Sequence, residues 1–152
     1  MYLVPDGDEL EIANAAAVFL ADAMTIQRLH GAAPADMAPD LRQQLGDMGW
    51  YALALPEGAG GSGLSAVEFA LFFREVGRQC GPLDVLAQCL AAMTVADEPL
   101  RSEITCGAVG VALAVTDGDG LRIFGSKAAT YALLVSRDEA KLIALDGVSA
   151  EN

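Results

Sequence analysis

The sequence predicts an α+β fold, a mainly α-helical N-terminal bundle followed by a small, incomplete antiparallel β domain. Three observations predict it. Apolar residues recur at steps of three and four from Asp8 to about Thr105, β-branched and alternating residues take over after Gly107, and 53% of the 152 residues are hydrophobic against 20% charged. With a mean hydropathy of +0.37 the chain carries enough apolar surface for a packed core and is not a disordered polymer.

From Asp8 to about Leu29 the positions Ile12, Ala16, Phe19, Ala23 and Ile26 form one stripe, and Glu11, Asn14, Asp22 and Thr25 another, as in an amphipathic helix. Gly31, Pro34 and Pro39 interrupt it, and Pro39 suits the first turn of a second helix to about Met48, with Leu41, Leu45 and Met48 inward and Gly49 as a left-handed stop. An apolar extended stretch, Trp50 to Leu55, then runs into Pro56 and the glycines 58, 60, 61 and 63. Ser65 and Glu68 have capping-box spacing, so a third helix runs from there to Gln79 with Gly81 closing it. A fourth, Pro82 to about Val95, carries Leu83, Leu86, Leu90 and Met93 on one face, and Asp97 caps a short segment from Glu98 to Thr105. Beyond Gly107, Val109 to Val115, Leu121 to Phe124, Tyr131 to Ser136 and Lys141 to Leu145 read as strands, the first two joined through Thr116 to Gly120. The expected domains are therefore 1–106, helical, and 107–152, a partial β domain.

Charge and composition exclude several functions. Twenty-one acidic against nine basic residues, a net charge of −12, oppose binding to nucleic acid and to anionic membranes. No apolar run reaches the length of a membrane span, and the acidic N-terminus lacks the positive region of a secretory signal, so a cytoplasmic protein is expected. Cys80, Cys89 and Cys106 are widely spaced and, with His30 the only histidine, form neither a disulfide framework nor a metal site; they read as buried or half-buried thiols. The loop 58–63 matches no phosphate-binding fingerprint and reads as a tight turn between helices. A serine nucleophile at Ser62 or Ser65 would need His30 as its base, and the acidic run Asp6, Asp8, Glu9 and Glu11 reads as a solvated helix start. No catalytic constellation emerges from the residues alone.

One ordered set of residues carries a resemblance. Leu45-Gly46-Asp47-Met48-Gly49-Trp50, then Leu55-Pro56-Glu57-Gly58, then Gly60-Gly61-Ser62-Gly63-Leu64-Ser65, then Phe73-Arg74-Glu75-Val76-Gly77-Arg78, resembles the N-terminal helical domain of the acyl-CoA dehydrogenases. Pro99 to Val115, Leu121 to Lys127 and Tyr131 to Ser136 similarly resemble the end of that domain and the first strands of the family's middle β domain. The resemblance implies FAD-dependent α,β-dehydrogenation of an acyl-CoA thioester, in which a carboxylate takes the α proton, the flavin takes the β hydride, and electrons pass to an electron-transfer flavoprotein. It also implies a homo-oligomer or a heteromeric acyl-CoA dehydrogenase.

The family's catalytic base belongs to a C-terminal helical bundle, so the resemblance assigns no catalytic residue to these 152 positions and implies a chain that is not catalytically complete. The family's flavin-binding Thr-Glu-Pro run is reduced to Thr116-Asp117-Gly118-Asp119-Gly120, and the later Trp-x-Thr element has no counterpart between Lys127 and Tyr131. By position, Val115 and Thr116 would touch the flavin; alternatively, Thr116 only opens a hairpin. The acyl pocket's share falls on Leu90, Met93 and Thr94, a stripe that otherwise reads as ordinary core. Two readings stay open: the N-terminal part of a flavoprotein dehydrogenase, or a non-catalytic partner subunit or structural helical module of that family. Because acyl-CoA is itself polyanionic, Arg122, Lys127, Arg137 and Lys141 are the candidates for local charge relief.

Overall fold

A computed structural model describes residues 5–30, 37–118 and 120–146. The chain forms two compact units, Met1–Ala35 with Ala52–Gly81, and Asp36–Tyr51 with Pro82–Asn152. The expected interruption at Gly31 and Pro34 lies outside the described residues, as does Asp119.

In the first unit, helix α1 (Gly7–Ala23) packs against helix α3 (Ala66–Arg78), and a 3-10 turn spans Ile26–His30. The N-terminal acidic run is a cap: Asp6 Oδ1 accepts the Glu9 amide at 3.0 Å, while Glu9 Oε2 accepts the Asp6 amide at 2.8 Å. The buried face of α1 is Ala13, Ala16 and Leu20, continued by Met24, so the expected stripe is displaced. Ile26 is exposed because the helix has ended before reaching it.

That ending is tied to α3 through Arg28. Its Nη1 donates to the carbonyls of Met24, Thr25 and Gln79 at 3.1, 3.0 and 2.9 Å, and its Nη2 donates to Cys80 at 2.6 Å. One guanidinium therefore satisfies carbonyls at the C-terminal ends of two helices, where the helix dipoles favour a cation. Helix α3 starts at the predicted Ser65 box, whose hydroxyl bonds the Glu68 carboxylate and holds its pKa below the usual carboxylate range. Its end differs from expectation. The left-handed residue is Cys80, with φ of 48°, and Gly81 is needed for space: a Cβ there would lie 2.4 Å from Val76 Cγ1 and 2.9 Å from the Met24 sulfur.

The second unit holds α2 (Pro39–Asp47), α4 (Asp84–Thr94), α5 (Glu98–Thr105) and a sheet of β1 (Val111–Asp117), β2 (Gly120–Phe124), β3 (Tyr131–Val135) and β4 (Ala140–Ala144). The Trp50–Ala52 stretch, expected to be extended, is a buried 3-10 turn joining the units. The expected boundary at 106/107 falls inside this unit, where α5 hands over to β1. At that handover Gly107 has φ of 76°, and a Cβ there would meet the Arg42 carbonyl at 2.5 Å. Arg42 Nε in turn donates to the Gly107 carbonyl at 2.8 Å, so α2 is pinned to the end of α5.

The sheet order is β2-β1-β3-β4. Its two outer pairings are antiparallel, but β1 and β3 run parallel, so the sheet is mixed where an antiparallel one was expected. The reason lies in residues 125–130, which carry the chain from β2 past the end of β1, where the Thr130 and Tyr131 amides donate to the Gly110 carbonyl. The sheet is open. Every residue of β2 is exposed, and its outer edge is unpaired among the described residues.

Gln88, buried at the middle of α4, joins helices to sheet. Its Nε2 donates to the carbonyls of Ile104 at 2.8 Å and Val109 at 2.7 Å, and its Oε1 accepts the Val111 amide at 3.0 Å. Two predictions follow from these polar ties. Arg28→Met leaves the carbonyls of Met24, Gln79 and Cys80 without this side-chain donor and lowers unfolding free energy by about 3 kcal/mol in denaturant titration, and Arg28→Lys restores little because an ammonium cannot match the planar fork. Gln88→Met, similar in volume, costs about 3 kcal/mol and accelerates hydrogen exchange at the Val111 amide, whose partner it removes.

Candidate functional site

Helix α4 is inverted in its chemistry. Its buried side holds Asp84, Val85, Ala87, Gln88, Cys89, Ala91 and Ala92, that is, mostly small residues together with the carboxylate and the amide. Leu83, immediately before α4, and Met93 are 48% and 50% exposed, and Leu86 and Leu90 are half-buried. On a helix of 3.6 residues per turn, Met93, Leu86, Leu90, Leu83 and Thr94 occupy one outer arc of about 100°. No charged residue lies on it. The Thr94 hydroxyl is turned back onto the helix, donating to the Leu90 carbonyl at 2.8 Å, so that side chain adds no free polar group either. A helix on a protein surface normally sets charged and polar residues on its outer face.

The polar residues of α4 explain the orientation. Asp84, 4% exposed, accepts the Ser126 amide on Oδ1 at 2.7 Å, and Gln88 makes the three bonds described above. Cys89 is buried and donates to the Trp50 carbonyl at 3.6 Å; burial pushes its thiol pKa up, so it stays protonated. Beside it, Tyr51 is 1% exposed and its hydroxyl has no hydrogen-bond partner among the described residues, and burial likewise raises its pKa. Cys80 and Cys106 are exposed, contrary to the reading of them as buried or half-buried thiols.

Val115 is half-buried opposite Arg122, and Thr116 is exposed opposite Leu121, near the tip of the β1–β2 hairpin. Asp117 pairs with Arg122 within that hairpin. Gln88 accepts the Val111 amide at the start of β1, and Asp84 accepts the Ser126 amide, which the β1–β2 register brings to the same end of β1, whereas Thr116 stands near the other end of that strand. The two sets of residues singled out in the sequence belong to one unit.

The remaining sequence candidates are structural. In the glycine loop, the amides of Ala59 and Gly61 donate to Pro56, that of Gly60 to Glu57, that of Ser62 to Ala52, that of Gly63 to Leu55 and that of Leu64 to Leu53. They face the protein's own carbonyls, so the loop is a turn and not a phosphate cradle. Ser65 is committed to its cap, and His30 is exposed in the 3-10 turn. No group of three or more metal-ligating side chains occurs among the described residues, and none of their helices is long and apolar enough to cross a membrane.

The profile of the acyl-CoA dehydrogenase N-terminal domain matches residues 6–102. The chain belongs to the acyl-CoA dehydrogenase family. Among solved structures, a variant of the Tcur3481-Tcur3483 steroid ACAD aligns with a TM-score of 0.65 at 24% identity, covering 91% of this chain and 48% of its own. The ChsE4-ChsE5 complex from Mycobacterium tuberculosis aligns with a TM-score of 0.62 at 22% identity, with coverages of 88% and 43%. A glutaryl-CoA dehydrogenase from Mycobacterium smegmatis in complex with FADH2 gives 0.64, 18%, 93% and 46%. The likeness is one of fold, and the chain spans about half the length of these dehydrogenases. No curated protein sequence matches it.

Family membership implies FAD. The described residues offer a flavin one exposed hydroxyl, at Thr116, and the apolar side of Val115. The Asp117 carboxylate that follows is held by Arg122, and among the described residues of the hairpin no set of free donors is built for a pyrophosphate. On these residues alone the cofactor does not fit.

The inversion of α4 makes a direct prediction. Met93→Lys costs less than about 0.5 kcal/mol of stability because the position is outward, whereas Ala91→Leu, on the small-residue face, costs about 2 kcal/mol or more. Thermal denaturation of the two variants beside the parent chain checks the contrast.

Proposed function

We propose that this chain supplies the N-terminal part of an acyl-CoA dehydrogenase-like flavoprotein, acting in FAD-dependent dehydrogenation of acyl-CoA thioesters, and that the outer arc of α4 is one wall of the acyl site. The observation that carries the reading is the absence of any charged side chain on that arc, against a chain whose net charge is −12. Leu90 and Met93 give the acyl group apolar contact, as does the methyl of Thr94. Val115 and Thr116 contribute an edge to a flavin site whose remaining groups, with the α-proton base, come from residues other than these. When bound, the flavin supplies the hydride acceptor, and the electrons leave to an electron-transfer flavoprotein.

A second reading is favoured by one specific feature. The acidic, ion-paired hairpin at Asp117 stands where the family's flavin run is expected, which suits a non-catalytic subunit beside a flavin-holding partner in a heteromeric enzyme. The ChsE4-ChsE5 complex shows that proteins of this fold occur in two-component assemblies. Titration of the chain with FAD separates the readings: perturbation of the flavin's visible band supports a self-contained flavin site, and an unperturbed spectrum supports the partner subunit.

The acyl wall itself is tested by calorimetry with dodecanoyl-CoA. Leu90→Asp weakens binding by at least about 10-fold while the folded far-ultraviolet spectrum is retained, because a carboxylate cannot be desolvated against the alkyl chain. Ligand and protein are both anionic, so raising ionic strength from ~0.01 to ~0.15 M accelerates association, opposite to the effect on oppositely charged partners. An Asp variant that binds as well as the parent removes α4 from the acyl site.

A further inference from the structure

We propose that the outer edge of β2 pairs with the same strand of a second copy of this chain, joining two four-stranded sheets into one across a two-fold axis at Arg122. The pairing is independent of any ligand on α4.

The hairpin register determines which backbone groups face outward. Asp117 and Gly120 pair across a two-residue loop, which closes on a hydrogen-bonded pair, and hydrogen-bonded and non-hydrogen-bonded pairs alternate along an antiparallel ladder. Gly120, Arg122 and Phe124 therefore direct their amides and carbonyls to β1, and those of Leu121 and Ile123 point to the free edge. A two-fold axis through Arg122 sets each Leu121 opposite Ile123 of the other copy and uses every outward group of both strands. An axis through Leu121 or Ile123 leaves half of them unused.

The side chains suit the same register. By alternation Leu121 and Ile123 share one face of the strand, and Arg122 and Phe124 the other. Leu121 and Ile123, 46% and 39% exposed, become an apolar cross-strand pair on each side of the axis, and the exposed Phe124 covers Gly120 of the other copy, which has no side chain of its own. The two Arg122 side chains meet at the axis, each held by its own Asp117, so the centre carries as much negative as positive charge. That neutrality selects a second copy, because the edge holds no excess charge with which to recruit a basic or an acidic strand.

The edge is also unguarded. Strand β2 carries no proline, lysine or bulge, the devices that block edge pairing, whereas β4, at the opposite edge, carries Lys141. One open edge and one guarded edge give a closed pair and not a growing ribbon. Two five-residue strands bury less than the ~1,200 Å² of a stable interface, so the dimer is weak and depends on concentration. The net charge of −12 on each copy opposes it, and salt therefore strengthens it.

The test is sedimentation equilibrium of the full chain, reduced, from ~0.01 to ~1 mM. A monomer–dimer equilibrium is expected, with an association constant that rises at least about threefold between ~0.05 and ~0.5 M salt. Ile123→Pro removes an outward amide that β1 does not use, and Leu121→Lys places ammonium groups along the seam. Each lowers association at least about 10-fold while the far-ultraviolet spectrum is retained. The axis is read by Arg122→Cys in a Cys80→Ser, Cys106→Ser background, which oxidised glutathione converts to a disulfide-linked dimer, since residues opposite each other in a non-hydrogen-bonded pair lie within disulfide reach. A chain that stays monomeric throughout, association that continues past the dimer, a dimer untouched by Ile123→Pro and Leu121→Lys, or an Arg122→Cys chain that does not cross-link overturns the inference.

Discussion

The side-chain amide of Gln88 decides how the second unit is put together. It bonds the carbonyls of Ile104 and Val109 and the amide of Val111, linking helix α5, the turn after it and the first residue of β1, and it does so from a position with 1% exposure. Buried backbone groups without partners cost about 1–3 kcal/mol each, so no rotation of α4 that carries Gln88 outward is tolerated. Asp84, one turn earlier, adds a bond to Ser126 and points the same way. With both polar residues drawn inward, the opposite arc of α4 must face out. Leu83 and Met93 forgo about half of their burial and Leu86 and Leu90 a smaller part, roughly 2–5 kcal/mol over the four residues. A helix selected for stability of this unit alone would turn those residues in, so the outward apolar arc is imposed by the two buried polar anchors.

The first unit is fastened by an analogous device with a different charge. Arg28 serves four carbonyls where two helices end, and its positive charge offsets the negative ends of both dipoles. It also stabilises a backbone that is otherwise costly. Cys80 is the one non-glycine residue with positive φ among the described residues, a conformation disfavoured by about 1–2 kcal/mol, and its carbonyl is among those Arg28 holds. The Gly81 close approach explains why the glycine could not take that place: the space beside Val76 and Met24 already demands it.

What was legible in the sequence was local. The Ser65–Glu68 box, Asp97 as a cap, Pro39 in a first turn and the β1–β2 hairpin are each determined within a few residues, and each stands where it was expected. The end of α1 was not legible, because it depends on Arg28 meeting residues some fifty positions away. The parallel β1–β3 pairing escaped for the same reason, since strand propensity says nothing of which neighbour a strand chooses. The candidate site lies between these cases. Spacing marked Leu83, Leu86, Leu90 and Met93 as a stripe, but periodicity cannot tell whether a stripe faces in or out. The signal that settles it was present in Asp84 and Gln88, and it acquires meaning only when their partners at Ser126, Ile104, Val109 and Val111 are known.

The same logic separates the strong part of the site from the weak part. Helix α4 is anchored by buried hydrogen bonds at its first turn and at its middle, so its outer arc is a rigid surface. Thr116 sits in a hairpin whose second strand is exposed at every residue and whose tip is held by one ion pair between exposed side chains. Exposed ion pairs contribute little, and strands with few buried contacts open at low free energy. The outer arc of α4 is therefore set by the fold before anything meets it, whereas the hairpin around Thr116 takes its order from whatever packs on it.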